Sequence, residues 1–104
     1  MKFSIPANFK ASEESTIPKE YGGVTQLWKN GDETIEFWID DVDGTAQGNR
    51  ILNDLGGSRK EMYGFTGYYN KFTDGGCAYS FVYNNKICHI IVSDDKLLNR
   101  IDVL

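Results

Sequence analysis

The side chains most able to perform acid–base or nucleophilic chemistry are one histidine and two cysteines. With His89 as the sole histidine and no Cys-x-x-Cys motif, the ligand spacing typical of zinc sites is missing. A Cys–His nucleophile needs its thiol and imidazole within hydrogen-bond reach. The strand register derived below puts His89 near Ser80 on one face of a sheet, and Cys77 and Cys88 on the other. We therefore expect a partly buried histidine that is satisfied locally.

The densest charge cluster is acidic and consists of Asp40, Asp41 and Asp43. Grouped carboxylates can bind hard cations such as Ca²⁺. An EF-hand is excluded, because a loop aligned on the following glycine would place Ile39 and Arg50 at its first and twelfth ligand positions. Two interpretations remain: a looser cation site at a strand-to-helix turn, or an acidic flank that favours the positive end of a helix dipole. We favour the flank and expect no cofactor.

No other motif predicts catalysis. The glycine pairs at 22–23, 56–57 and 75–76 do not follow the patterns that aim backbone amides at a phosphate, and turns explain them. No two acids stand apart as a pair for glycoside chemistry. The sequence therefore predicts a protein that is not an enzyme.

Aromatic residues are the remaining candidates, at 13% of the chain. Trp38 shares a predicted strand face with Glu36 and Asp40, which makes it the leading candidate for an exposed aromatic in an interaction surface. Tyr21, in an irregular loop, is the second candidate. The alternative is that Trp38 packs under a helix or the N-terminal loop, which a sheet covered on both faces favours.

Length and charge limit the possible classes of protein. A chain of 104 residues suits a single domain over 1–104. The net charge of −4, without a basic stripe, makes nucleic acid an unexpected partner. No apolar run approaches the ~20 residues that cross a bilayer, and the N-terminus lacks a signal-peptide core. We expect a cytoplasmic protein that avoids membranes, as a monomer or weak homodimer.

The element that positions His89 and the cysteines is a three-stranded meander over residues 66–92. Its first turn, at Asp74-Gly75, predicts that Phe72 pairs with Cys77. The face opposite the cysteines carries polar and apolar residues but is too apolar to be exposed to water, so other segments must cover both faces of the sheet. The predicted apolar face carries Tyr68, Phe72, Cys77, Tyr79, Phe81, Tyr83, Cys88, Ile90 and Val92.

The second turn of the meander, at Asn84-Asn85, pairs Cys77 with Val92 and leaves Cys88 four residues away along the ladder. That separation is ~13 Å at about 3.3 Å per residue, whereas a disulfide needs its Cα atoms within ~7 Å. We expect free, buried thiols, which fit a reducing compartment.

The flanking elements complete the fold prediction. A short strand at Phe3–Ile5 opens the chain, residues 13–23 form a surface loop, and Val24 to Lys29 pairs with Glu33 to Asp40 around Asn30-Gly31. The loop length is two or three residues, so the facing of Trp28 is undecided.

Two helices are predicted. One covers Thr45 to Leu55, with Thr45 as N-cap, and the other covers Asp94 to Leu104, capped by Ser93 or Asp94. The first has an apolar stripe of Ile51, Leu52 and Leu55. The fold class is α+β: an antiparallel sheet of hairpin plus three-stranded meander, flanked by two helices.

Three short motifs point to a known family. They are an F-x-I-P start, a G-x-x-G-Y entry to the central strands, and a strand beginning Lys-Ile before the last helix. The order of elements resembles the Mog1/PsbP-like superfamily. The resemblance implies an antiparallel sheet flanked by helices and a role in binding other proteins, and it carries over no catalytic residue. The matching residues are Phe3, Ile5, Pro6, Gly64, Gly67, Tyr68, Lys86, Ile87 and Ile90.

The sequence thus predicts a non-catalytic module that binds an unknown protein partner through an aromatic or acidic surface. The alternative is a small-molecule or metal-binding protein, or an enzyme, with a pocket between sheet and helix. Tyr68, Tyr79 or His89 would serve that pocket.

Overall fold

A computed structural model describes residues 2–104 of the chain. The strands are β1 Phe3–Ser4, β2 Lys10–Ser12, β3 Val24–Asn30, β4 Glu33–Asp41, β5 Ser58–Met62, β6 Phe65–Lys71, β7 Cys77–Tyr83, β8 Lys86–Val92 and β9 Asp102–Val103; the helices are α1 Thr45–Leu55 and the 3₁₀ helices Lys19–Tyr21 and Asp95–Arg100. Seven strands form one antiparallel sheet in the order β2-β3-β4-β8-β7-β6-β5, and β1 pairs with β9 in a separate antiparallel ribbon. The sheet-dominated α+β class is confirmed.

The turn between β7 and β8 has the predicted register. Cys77 pairs with Val92, and the two turn residues Asn84 and Asn85 have φ of 49° and 59°. A two-residue hairpin of this kind needs positive φ at both positions, which asparagine tolerates. Cys77 and Cys88 are buried free thiols, as predicted.

The predicted register between β6 and β7 is wrong by one residue. Lys71, not Phe72, pairs with Cys77, and Tyr69 pairs with Tyr79. The connection from 72 to 76 is longer than the predicted tight turn, and the Asp74 side chain closes it by accepting a bond from Gly76 N at 2.9 Å. Because side chains alternate along a strand, the slip turns Tyr69 into the core and leaves Phe72 41% exposed.

Helix α1 has the predicted bounds but a different N-cap residue. Its N-cap is Gly44, with φ of 101° and no side-chain cap, so the Thr45 prediction is wrong. The helix approaches the sheet closely at Gly48, where an added Cβ would lie 2.8 Å from a methyl group of Val82. Leu52 is buried as expected, whereas Leu55 is 63% exposed.

The predicted C-terminal α-helix is also wrong. Asp94 caps the 3₁₀ helix Asp95–Arg100, accepting from Lys96 N at 3.0 Å, and the chain then becomes extended. Strand β9 pairs with β1, and Leu104 N donates to Lys2 O at 2.8 Å. The apolar residues that indicated a longer helix, Leu97, Leu98 and Ile101, are instead buried side chains of the 3₁₀ helix and the residue that follows it. The backbone then becomes extended and satisfies the polar backbone groups of β1.

The seven-stranded sheet has two faces. The first face carries Ile35 and Phe37, and it packs against Phe9, β1 and the C-terminal 3₁₀ helix in the main hydrophobic core. The second face carries Glu36 and Trp38; α1 covers it over β7, and the loop 13–23 covers it over β4. Within residues 2–104, no helix has both the length and the apolar character required to cross a bilayer.

Candidate functional site

An open, concave region remains on the first face, and we call it the aromatic groove. The C-terminal 3₁₀ helix is tied toward β5 and β6, because Tyr63 Oη donates to Leu98 O at 2.5 Å and Lys71 lies 3.5 Å from Asp95. The opposite corner, over β3, β4 and β8, is therefore uncovered. The groove has a volume of about 480 Å³ and is lined by Phe3, Ile5, Gln26, Trp28, Phe37, Ile39, Phe81, Tyr83, Asn84, Lys86 and Cys88.

Strand register explains why these side chains converge. Gln26 pairs with Phe37 and Ile39 pairs with Cys88, so alternate residues of three adjacent strands face the groove. Phe3 packs edge-on against Phe37, with ring centroids 5.2 Å apart. Tyr83 is 39% exposed at the rim. The groove therefore has a rigid aromatic floor on strands and an accessible edge.

The polar groups around the groove offer recognition but little reactivity. Lys86 Nζ is bound to Asp41 Oδ1 at 2.5 Å. Burial raises the pKa of the Cys88 thiol to about 12, and it also raises the pKa of Cys77. A thiol is nucleophilic as its thiolate, so Cys88 supplies a small apolar surface at neutral pH.

A second cavity, the sheet–helix cleft, lies between the second face and α1. Its volume is about 500 Å³, and it is lined by Trp38, Asp40, Asp41, Val42, Asp43, Gln47, Ile51, Leu55, Ile87 and His89. The predicted alternative required such a pocket with His89, Tyr68 or Tyr79. His89 is present. Tyr79 is instead buried on the first face, where its hydroxyl lies 2.8 Å from Lys60 O, and Tyr68 does not line the cleft.

His89 has the predicted neighbour. Its Nδ1 lies 2.6 Å from Ser80 Oγ, and both cysteines are on the opposite face. Burial lowers the pKa of His89, while the negative charge of Asp40 acts in the opposite direction. Ser80 is only 5% exposed, so its hydroxyl is largely shielded from solvent.

Trp38 is half-buried and held by the N-terminal loop, the alternative considered from the sequence. Its indole Nε1 donates to Gly22 O at 3.0 Å. The ring stacks on His89 at a centroid distance of 4.9 Å and on Tyr21 at 6.1 Å. Tyr21 itself is 60% exposed. The two predicted interaction residues therefore lie together, with Tyr21 as the accessible member.

The three aspartates proposed as a weak cation site do not form a cage. Asp40 pairs across the sheet with Ile87, whereas Asp41 pairs with Lys86 and its carboxylate is bound to the Lys86 ammonium. Among the residues described, no group of three potential metal ligands is close enough to hold an ion.

Two features of the site were missed from the sequence. The facing of Trp28 is undecided from the sequence because it depends on the length of the β3–β4 turn. The turn has two residues, Gly31 and Asp32, rather than the predicted Asn30-Gly31, and Trp28 faces the groove. Glu36 was placed on the strand face of Trp38 without a prediction of its burial, and it is only 2% exposed. It accepts bonds from Ser15 Oγ at 2.7 Å and from the backbone N and side-chain Oγ1 of Thr16. No local signal marks a carboxylate for burial by a distant loop.

Comparison with models of known families, with curated proteins and with solved structures finds no match to this chain. The Mog1/PsbP-like resemblance therefore stays a prediction.

Proposed function

We propose that this chain is a non-catalytic binding module that accepts an apolar side chain of a protein partner in the aromatic groove. The observation that carries the proposal is the groove itself: a concave, aromatic-lined surface on an otherwise covered sheet face. Its volume of about 480 Å³ lies within the ~300–1,000 Å³ of typical ligand pockets.

The size of the groove favours a short segment of a partner over a second copy of the chain. Stable protein interfaces involve ~20–30 residues on each side, and eleven residues line the groove. Insertion of one aromatic or branched aliphatic anchor would bury apolar surface worth about 1.5–3 kcal/mol, and buried aromatic anchors of this kind dominate binding energies. The neutral Lys86–Asp41 pair at the rim favours an uncharged anchor.

The chemistry of the groove supports binding without catalysis. Its thiol is protonated at neutral pH because burial raises the pKa of Cys88 to about 12. The buried free thiols also support our proposal that the protein works in the reducing cytoplasm.

The test is selection of short peptides displayed on phage against the pure protein, followed by NMR mapping. We expect selected peptides to share one aromatic or aliphatic anchor and to shift the resonances of Trp28, Phe37 and Ile39. Tyr83→Lys at the rim should weaken binding at least tenfold. Phe72→Lys is the matched control, because Phe72 has nearly the same exposure outside the groove (41% against 39%).

Two results would overturn the proposal. One is a selection whose peptides shift residues away from the groove. The other is an equal loss of affinity in the Tyr83→Lys and Phe72→Lys variants.

A further inference from the structure

The sheet–helix cleft is a site separate from the groove, on the opposite face of the sheet. Apolar side chains from both layers line it: Trp38 and Ile87 from the sheet, and Ile51 and Leu55 from α1. Leu55 remains 63% exposed although it lies on the helix that covers the sheet. A hydrocarbon chain entering the cleft would therefore meet apolar surface on two sides.

His89 presents a neutral ring to this cleft. The Ser80 hydroxyl has Nδ1 of His89 as its partner, and no other hydrogen bond of Ser80 Oγ occurs among residues 2–104. A buried hydroxyl hydrogen needs an acceptor, so Ser80 donates to Nδ1 and the ring proton resides on Nε2. Protonation of Nδ1 would take that acceptor away from Ser80. The hydrogen bond and the burial both favour the neutral form of His89.

The charged groups of the cleft are of one sign. Asp41 is neutralised by Lys86, whereas Asp40 and Asp43 form no ion pair within residues 2–104. No lysine or arginine is among the lining residues. The cleft thus combines two carboxylates without ion-pair partners, a neutral imidazole and apolar walls.

We propose that the sheet–helix cleft binds an alkylammonium group, with the ammonium at Asp40 and Asp43 and the alkyl chain between α1 and Ile87. The apolar walls accept the chain, the carboxylates attract the charge, and a neutral His89 does not repel it. The ammonium comes either from a small amine or from a lysine side chain of a polypeptide. This proposal is independent of the groove and its partner.

The experiment uses n-hexylamine as the probe, with n-hexanol and hexanoate as neutral and anionic controls of the same chain length. Binding is followed by NMR on the pure protein. We expect hexylamine to bind at least fivefold more tightly than hexanol, and hexanoate not to bind. Nα-acetyl-lysine amide forms a second arm: tighter binding of this compound identifies a polypeptide source, and tighter binding of hexylamine identifies a small amine.

The sole histidine provides a specific readout. The titratable and charged groups around it in the cleft are Asp40, Asp41 and Asp43, with Lys86 bound to Asp41. A bound cation disfavours imidazolium, so hexylamine should lower the pKa of His89. If hexylamine binds fivefold more tightly to the protein with neutral His89 than to the protein with protonated His89, saturation lowers the pKa of His89 by about 0.7 units.

Matched variants distinguish an effect of the carboxylates in the cleft from an effect of the net charge of the protein. Asp40→Asn and Asp43→Asn should each weaken hexylamine binding about fivefold or more. Asp32→Asn changes net charge equally but lies ~26 Å along β4 from Asp40, at about 3.3 Å per residue, and should have no effect. Equal affinity for hexanol and hexylamine, an unchanged pKa of His89 at saturation, or an equal effect of Asp32→Asn would overturn the proposal.

Discussion

Glu36 holds the N-terminal loop over the second face of the sheet, and its replacement by alanine should destabilise the protein strongly. The carboxylate is 2% exposed and accepts bonds from Ser15 Oγ, Thr16 N and Thr16 Oγ1. The same loop supplies Gly22 O to the indole of Trp38. Loss of the Glu36 anchor should therefore also loosen the loop around the stacked aromatic rings.

The size of the loss in stability follows from the hydrogen bonds that are lost and from the cost of burying the carboxylate, which alanine removes. Hydrogen bonds to a charged acceptor contribute about 1.5–3 kcal/mol each, so three of them sum to roughly 4.5–9 kcal/mol. Burying a carboxylate costs several kcal/mol, which alanine recovers. Ser15 and Thr16 are exposed and regain hydrogen bonds to water. We expect a net loss of about 2–4 kcal/mol.

Urea unfolding of Glu36→Ala, Ser15→Ala and the double variant measures both the loss and the coupling. We expect a coupling energy of about 1–2 kcal/mol between the two sites. Glu61→Ala is the matched control, because Glu61 is an exposed glutamate on a strand, and it should change stability by less than ~0.5 kcal/mol. If Glu36→Ala costs no more than Glu61→Ala, the loop is not anchored through this carboxylate.

Two further predictions concern pH. Because burial lowers the pKa of His89, the unfolded chain binds a proton more readily, and the free energy of unfolding should fall as pH drops below about 6.5. Urea titrations at pH 5–7 should show this loss of stability in the wild type and not in His89→Gln. Identical pH profiles of the two proteins would contradict the prediction. Because burial raises the pKa of Cys88 to about 12, native stability should decline as pH rises from about 9 toward 12, where the unfolded thiol ionises first. Cys88 should also resist iodoacetamide at pH 8 until the protein unfolds, so rapid labelling of the native thiol would refute a buried, protonated Cys88.

Two features with local causes were predicted correctly. The Asn84-Asn85 hairpin follows from two residues that tolerate positive φ, and it placed His89 beside Ser80 and away from both cysteines. The bounds of α1 follow from an apolar stripe and a glycine stop. In each case, neighbouring residues in the sequence supply most of the relevant energy.

Features that depend on distant segments were not predicted. The connection from 72 to 76 is compatible with two registers between β6 and β7, and core packing of Tyr69 accompanies the register that is adopted. The C-terminal segment becomes a strand because β1 is there to pair with it. Glu36 is buried by residues some twenty positions away.

The sequence by itself determined the antiparallel α+β class, the separation of the two thiols along the sheet, and the position of His89 on the face opposite both thiols. Periodicity and turn chemistry are encoded within a few residues, so they can be derived without coordinates. Only the tertiary structure decided which parts of each face are covered. The aromatic groove and the sheet–helix cleft exist because the C-terminal 3₁₀ helix and α1 each cover part of a face, and coverage depends on packing between segments that are far apart in the chain.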